Sequence, residues 1–295
     1  MAHASSYVET VLGKKNANQL GRTLTHEHLS LNFATFYVQP PVHLKRFFDG
    51  QIELRNVGML KQYPYSNPYN LIYNDQHTED AVLEDIRSYK EFGGGTIVEN
   101  SNYGLQRNIP FMRKVSEVTG INVIAGTGYY VSATQTNEDL LKENMYDVML
   151  KEMTIGCEEY PDVKTGFIGE VGSTWPITRT IPSPEDLLEF ADDAKCYCQF
   201  DLFGCECSFY QLSPSTDMIS DAQRIDRVKY FRDDQKLDRV LLSHDIHTKH
   251  RLMKFGGHGF SHILNNVVPK MTLKGFTSEE IDTLTIRNPR TWLTS

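Results

Sequence analysis

Strand and helix signals alternate along this chain, and that alternation limits the possible fold more than any other feature. Apolar runs that end in glycine, polar or aromatic residues occur at 21–25, 96–100, 121–125, 166–170, 196–203 and 239–243. Strands that alternate with amphipathic helices are typical of parallel βα units. The sequence therefore predicts an α/β fold, a TIM (β/α)8-barrel that is incomplete, with six of its eight strands recognisable.

Helix signals fall between these runs. Thr78 opens a predicted helix with Val82, Ile86 and Tyr89 on one face, and the glycines 93–95 end it. The segment 31–77, rich in Pro, Tyr and Asn, is predicted to be irregular. Similar signals predict further helices: Pro110 to Gly120 with Phe111, Val115 and Val118 in register, Thr136 and Asp139 through Met153, Ser183 and Pro184 before Leu187, Leu188 and Ala191, a helix containing Ile225 and Val228, and one capped by Thr277 and Glu280.

Length and composition suit one large domain. The chain has 295 residues, of which 40% are hydrophobic, so we expect 1–295 to form a single barrel domain. Its net charge of −8 provides no basic surface, and nucleic acid is not an expected partner. No apolar run reaches the roughly 20 residues that cross a membrane, and the N-terminus lacks the features of a signal peptide. The expected location is the cytoplasm.

Four of the five cysteines lie close together, at Cys196, Cys198, Cys205 and Cys207. A zinc knuckle is one interpretation. However, Cys-x-Cys spacing places each pair on one face of an extended chain, and no histidine lies nearby. Buried, reduced thiols are the favoured interpretation.

The main chemical signal is His26-x-His28 at the end of the first predicted strand. Side chains two residues apart in a strand point the same way, so both imidazoles converge on one point. Neutral imidazole is a good ligand for zinc and similar divalent metals. A lone His-x-His pair is common, so the metal hypothesis needs further ligands.

Two carboxylates end other apolar strands, Glu170 and Asp245. A buried carboxylate is costly unless a cation lies beside it. An arginine or lysine partner, or a helix cap, is the alternative explanation, above all for Asp245. Together, two histidines and two carboxylates on one barrel rim favour a metal site.

Several segments resemble the phosphotriesterase-related proteins of animals, in the phosphotriesterase family of the amidohydrolase superfamily. The resemblance follows the whole chain in order, through residues 8–13, 20–28, 93–100, 166–172, 200–204, 244–249, 254–264 and 288–293. It implies a TIM barrel with a centre of two divalent metal ions, usually zinc. It also implies that His26 and His28 bind the more buried metal, that Glu170 bridges both metals, and that Asp245 is the last ligand and takes a proton from the attacking water.

The chain departs from that family pattern at one place. The family has two more histidines, after its fifth and sixth strands, but this sequence has no histidine between His77 and His244. Roughly two βα units are missing, so we expect an internal deletion near 178–184 and at most one bound metal ion. An alternative transcript, a gap in the gene model and a reduced paralogue would each produce this pattern.

The resemblance implies a small-molecule substrate. Asn100, Arg107, Tyr130 and His247 are weak candidates to contact it. His250, His258 and His262 are expected to have surface or structural roles, and Asp201 a structural role beneath the pocket. Amide hydrolysis of small N-acyl substrates, such as N-acetyltaurine and N-acyl amino acids, is the leading hypothesis. Phosphotriester or lactone hydrolysis is the alternative, and a catalytically impaired truncated member is a third possibility. The oligomeric state is left open.

Overall fold

The computed structural model of the protein describes residues 6–135, 145–169, 183–205 and 207–295. In chain order the strands are β1 Tyr7–Thr10, β2 Gly13–Asn16, β3 Arg22–Glu27, β4 Gly94–Glu99, β5 Asn122–Thr127, β6 Phe167–Ile168, β7 Cys198–Phe200, β8 Phe209–Tyr210, β9 Ser213–Asp217 and β10 Val240–Leu242. β1 with β2, and β8 with β9, form small antiparallel hairpins. The other six strands correspond to the six predicted from the sequence.

Those six strands form a curled, partial parallel sheet. β3, β4, β5 and β6 are hydrogen-bonded in that order, and β10 pairs with β7. β10 lies beside β3, because Thr25 Oγ1 donates to Leu242 O at 3.2 Å and His26 N donates to Ser243 Oγ at 3.0 Å. Within the described ranges, no backbone hydrogen bond connects β6 to β7. The barrel predicted from the sequence is therefore present as a six-strand part of a barrel wall.

Helices cover the outside of this sheet. They are α1 Val57–Gln62, α2 Pro68–Leu71, α3 Gln76–Glu91, α4 Ile109–Thr119, α5 Met145–Thr154, α6 Pro184–Ala194, α7 Asp221–Asp233, α8 Val268–Leu273, α9 Ser278–Asp282 and α10 Asn288–Thr294. A π-helical turn precedes α8 at Ile263–Val267, and another precedes α10 at Thr283–Arg287. No described helix combines the length and the apolar character needed to cross a membrane.

The helix ends follow the capping signals closely. α4 begins after Asn108, whose side chain accepts from Phe111 N, and it ends at Gly120 in the left-handed region with φ of 69°. Ser183 caps α6, and Thr277 with Glu280 forms a capping box before α9. The predicted signals at Gly120, Ser183 and Thr277 with Glu280 are confirmed, whereas the Asn108 cap was not predicted. Each cap satisfies backbone groups that a helix end leaves unpaired.

Some details of the sequence prediction were wrong. α3 begins at Gln76, because Asp75 caps it by accepting from Thr78 N. Val118 is 51% exposed and lies outside the buried face of α4, where Met112 packs instead. The run 196–203 contains only the three-residue strand β7, because Leu202 turns the chain with φ of 65°.

Other sequence predictions met with mixed outcomes. The segment 31–77 is not wholly irregular, since it contains α1 and α2. The predicted helix start at Thr136 and the predicted deletion near 178–184 involve residues outside the described part of the chain, which resumes at Met145 and at Ser183.

Candidate metal centre

His26, His28 and Asp245 meet at the carboxyl ends of two neighbouring strands. One potential ligand atom from each residue lies within 4.8 Å of the other two. The Nε2 atom of His28 is 3.3 Å from Asp245 Oδ1, and that of His26 is 3.8 Å from the same oxygen. The histidines converge because residues two apart in an extended chain share a face, and Asp245 arrives from β10, which lies beside β3.

Both histidines use their Nδ1 atoms away from this cluster. His26 Nδ1 lies 3.0 Å from Asp201 Oδ2, and His28 Nδ1 lies 3.0 Å from Ser101 Oγ. Ser101 in turn donates to Glu99 at 2.6 Å, so its oxygen accepts the Nδ1 proton of His28. Such partners fix the ring orientation and direct the Nε2 lone pair to a metal position.

Burial shifts the pKa values of the two supporting carboxyl groups. Burial raises the pKa of Glu99 to about 7, although the His28 charge and the Ser101 hydrogen bond oppose this shift. Burial also raises the pKa of Asp201, and the adjacent His26 imidazole offsets part of the effect. The Asp201 carboxyl group and His26 Nδ1 thus form a buried pair in direct contact.

Asp245 has an unusual backbone conformation and an ionised side chain. Its φ of 54° lies in the left-handed region, which aspartate adopts more readily than most residues other than glycine and asparagine, although still as a minority conformation. Burial alone would raise the pKa of its carboxyl group, but the charges of His247 and His26 outweigh burial and hold that pKa well below its usual range. Asp245 therefore presents a carboxylate to the two imidazoles.

These donors fit a divalent cation such as zinc. Catalytic zinc sites combine three protein ligands, drawn from histidine and carboxylate, with one open position. Bonds of about 2.0–2.1 Å around a tetrahedral ion place ligand atoms roughly 3.3 Å apart. The observed separations of 3.3 and 3.8 Å are close to that spacing. Glu170, the other sequence-predicted ligand, lies outside the described residues.

The cluster faces a cavity of about 580 Å³. Aromatic side chains form part of the wall, with Phe33 and Tyr65 next to His247 at ring-centre distances of 5.0 and 6.0 Å. His247 Nδ1 lies 3.1 Å from Asp245 Oδ1, and its Nε2 lies 3.0 Å from the Tyr65 hydroxyl. The cavity therefore places apolar surface directly beside the three ligand atoms.

The structure separates the candidate substrate contacts into two groups. Asn100, Tyr130 and His247 line the cavity. Arg107 is not among its lining residues, because its guanidinium is buried in ion pairs with Glu152 and Glu159, at 2.6 and 2.5 Å. Its role in this structure is to connect the segment before α4 to α5 and the chain that follows it.

Other residues differ from their sequence interpretation. Asp201 was expected to be structural, but it lines the cavity and contacts His26. Asp201 and Ser101 follow β7 and β4, so the polar residues after each strand were a usable signal. Tyr65 lies in the segment predicted to be irregular, and nothing in the sequence indicated that it would contact the site.

His258 and His262 have structural partners, Arg251 at 3.2 Å and Asp221 at 2.6 Å, whereas His250 also lines the cavity.

All five cysteines are free. Cys157, Cys198 and Cys207 are buried, and Cys196 and Cys205 are half-buried. Within the described residues, the group of side chains arranged to hold a metal consists of His26, His28 and Asp245 and includes no cysteine. The thiols near the cavity are thus separate from the candidate metal centre.

Solved structures of low sequence identity share this fold. A resiniferatoxin-binding protein from Rhodobacter sphaeroides superposes with a TM-score of 0.88 at 22% identity, over 98% of this chain and 95% of that one. The phosphotriesterase homology protein from Escherichia coli superposes with a TM-score of 0.69 at 22% identity, over 93% of this chain and 99% of that one. The protein therefore shares its fold with these two solved structures.

Sequence relatives are closer. A phosphotriesterase-related protein of Aedes aegypti is 42% identical over 337 aligned positions, covering 93% of this chain and 94% of the relative. One from Drosophila ananassae is 40% identical and covers 98% of this chain and 99% of the relative. The model of the phosphotriesterase family matches residues 6–183 and 179–293. The chain belongs to the phosphotriesterase family, and by that homology it is a metal-dependent hydrolase.

Proposed function

We propose that this protein hydrolyses the amide bond of small N-acyl substrates, such as N-acetyltaurine and N-acyl amino acids, with one divalent metal ion, which the ligand types assign as zinc. The observation that carries the metal-dependent chemistry is the convergence of His26, His28 and Asp245 at one end of the cavity. The choice of N-acyl substrates rests on the resemblance of the chain to animal phosphotriesterase-related proteins.

Each residue of the site has a distinct part in this proposal. His26, His28 and Asp245 hold the ion, with Glu170 as a further proposed ligand. A divalent cation supplies an acidified water and polarises the oxygen of the bond to be cleaved. Asp245 is the proposed local base, because its carboxylate lies at the cluster where the attacking water would lose a proton. Asn100, Tyr130 and His247 are positioned to contact the substrate.

We also propose that residues 1–295 form a single domain that lacks about two βα units near 178–184. Two observations support this proposal. The two matches to the family model meet at 179–183, and the 337 positions aligned with the Aedes aegypti protein exceed the 295 residues of this chain. Because the missing units would carry ligands of a second ion, one metal ion per chain is expected. A cytoplasmic location is likewise proposed from the sequence.

A panel of three substrate classes tests the reaction. Zinc-loaded protein would be assayed with N-acetyltaurine, an aryl phosphotriester and a lactone, beside the variants Asp245→Asn and His28→Asn. We expect N-acetyltaurine turnover that both variants abolish. No turnover of any acyl-taurine would contradict the amide hypothesis. Turnover of only the phosphotriester or lactone would favour the alternative activity, and no turnover of any substrate would indicate a catalytically impaired member.

A further inference from the structure

Glu27 lies between the two histidines of the candidate metal centre, but its side chain points the other way. Neighbouring residues of a strand project to opposite faces of the sheet. His26 and His28 line the cavity, whereas the Glu27 carboxylate is fully buried. It is not among the residues that line the cavity. The proposed reaction gives Glu27 no part.

The Glu27 carboxylate binds the chain segment that carries Asp245. Its Oε1 accepts from Ser243 Oγ at 2.7 Å, His244 N at 2.8 Å and His244 Nδ1 at 2.7 Å. Its Oε2 accepts from Ile246 N at 3.0 Å. His244 Nε2 accepts from Ile263 N, so the proton of this ring is on Nδ1, where it is donated to Glu27. The two backbone N–H groups on either side of Asp245 thus end on one side chain of β3.

Further contacts complete the hold on Asp245. Its own N–H donates to His26 O at 3.1 Å, and its carbonyl accepts from the Arg251 guanidinium. Ser243 Oγ joins the two strands directly, since it accepts from His26 N at 3.0 Å while it donates to Glu27. Asp245 keeps a left-handed backbone, and the surrounding hydrogen bonds determine that conformation.

We infer that Glu27 is a positioning residue, which fastens the segment 243–246 to β3 so that Asp245 meets His26 and His28 in a preformed metal centre. This inference rests on the proposed metal centre but not on the choice of substrate. It assigns a function to the residue between the two ligand histidines, and the function depends on the number and direction of its acceptor oxygens. A carboxylate can accept all four of the observed hydrogen bonds.

The variant Glu27→Gln tests this function with little change of shape. A glutamine has one acceptor oxygen and one NH2 group, so in either orientation a donor faces a donor: the Ile246 N–H in one, and the donors of Ser243 and His244 in the other. The matched control is Glu152→Gln, which alters another buried glutamate that pairs with Arg107 and is not among the cavity-lining residues. Zinc affinity would be measured at 20 °C by competition with a chromophoric chelator.

We expect Glu27→Gln to bind zinc at least about tenfold more weakly than wild type, as for other residues that orient metal ligands. Glu152→Gln should lower the melting temperature and leave the zinc affinity unchanged. A Glu27→Gln protein that melts early but binds zinc like wild type would overturn the inference, because its function would then be only structural. Wild-type protein that binds no zinc would overturn the proposed metal centre and this inference together.

Two further measurements cover the case in which Glu27→Gln does not fold. Ser243→Ala removes one donor to Glu27 and the acceptor of the His26 N–H but leaves the carboxylate in place, so we expect a smaller loss of zinc affinity. In metal-free protein, amide hydrogen exchange at His244 and Ile246 should accelerate in Ser243→Ala. Unchanged exchange at both amides together with unchanged zinc affinity would contradict the inference. Hydrogen exchange needs neither bound metal nor turnover. This measurement therefore distinguishes a failure of the positioning function of Glu27 from a failure of the proposed reaction.

Discussion

Each histidine of the metal centre uses one ring nitrogen to face the metal position and the other to fix the orientation of the ring. His26 and His28 turn Nε2 toward Asp245, while their Nδ1 atoms are held by Asp201 and Ser101. The His-x-His spacing was enough to predict that both imidazoles converge on a metal position. The residues that hold the Nδ1 atoms could not be predicted from the sequence, because Asp201 and Ser101 reach the histidines only when β3, β4 and β7 are placed side by side.

Asp201→Asn should weaken metal binding without unfolding the protein. The amide removes the acceptor charge opposite His26 Nδ1 and so loosens the ring and lowers the basicity of Nε2. We expect about a 10- to 100-fold loss of zinc affinity in a chelator competition assay. Asp192→Asn is the control, because Asp192 pairs with Lys236 at the surface. Equal zinc affinity in wild type and Asp201→Asn would show that Asp201 does not orient His26.

Asp85 makes stability depend on pH. This carboxyl group is buried on α3, accepts from Met253 N at 3.2 Å, and has its pKa raised by burial to about 7. In the unfolded chain its pKa is about 3.9. The folded state therefore holds an extra proton between these values, and stability falls as pH rises from about 4 to about 7 and stays reduced above that.

Asp85→Asn should remove this penalty. We expect the variant to be more stable than wild type at pH 8, by at most about 4 kcal/mol, and the difference to vanish near pH 4. Urea denaturation at pH 4, 6 and 8 measures it. A gain of the same size at all three pH values would show that ionisation of Asp85 is not its cause.

At the level of elements, local signals predicted helices better than strands. Pro110 and Gly120 marked the ends of α4 in the sequence, since the groups that start and end a helix act on partners at most a few residues away. β7 was predicted too long, because its apolar run continues through Leu202 and Phe203, which are buried but not in the strand. Burial in a turn and burial in a strand give the same apolar pattern.

Arg107 was predicted as a possible substrate contact, but it joins two segments of the fold through ion pairs with Glu152 and Glu159. A lone arginine in a loop after a strand fits an anion site, and its partners Glu152 and Glu159 are more than 40 residues away. Arg107→Ala should leave Glu152 as a buried carboxylate that has lost its arginine, at a cost of about 3–5 kcal/mol. The KM of any substrate should not change. A raised KM with unchanged stability, measured by steady-state kinetics and urea denaturation, would instead place Arg107 in the binding site.

At the level of the whole molecule, six parallel strands bring together the ends that carry His26, His28 and Asp245. β3 and β10 are neighbours, so this centre does not depend on a contact between β6 and β7. The order of strands and the family resemblance were available from the sequence. Whether a sheet of six strands would keep Asp245 next to His26 was not, because strand number, tilt and stagger are coupled in barrels.

Bound metal per chain, measured together with thermal melting with and without added zinc, tests the account most directly. The account predicts one zinc ion per wild-type chain and a cooperative melt that shifts to higher temperature with zinc, because a ligand that binds only the folded state stabilises it. His28→Asn should lose both the ion and the shift. Two tightly bound ions per chain, or no ion and no shift in a cooperatively folded wild-type protein, would contradict a single metal centre at His26, His28 and Asp245.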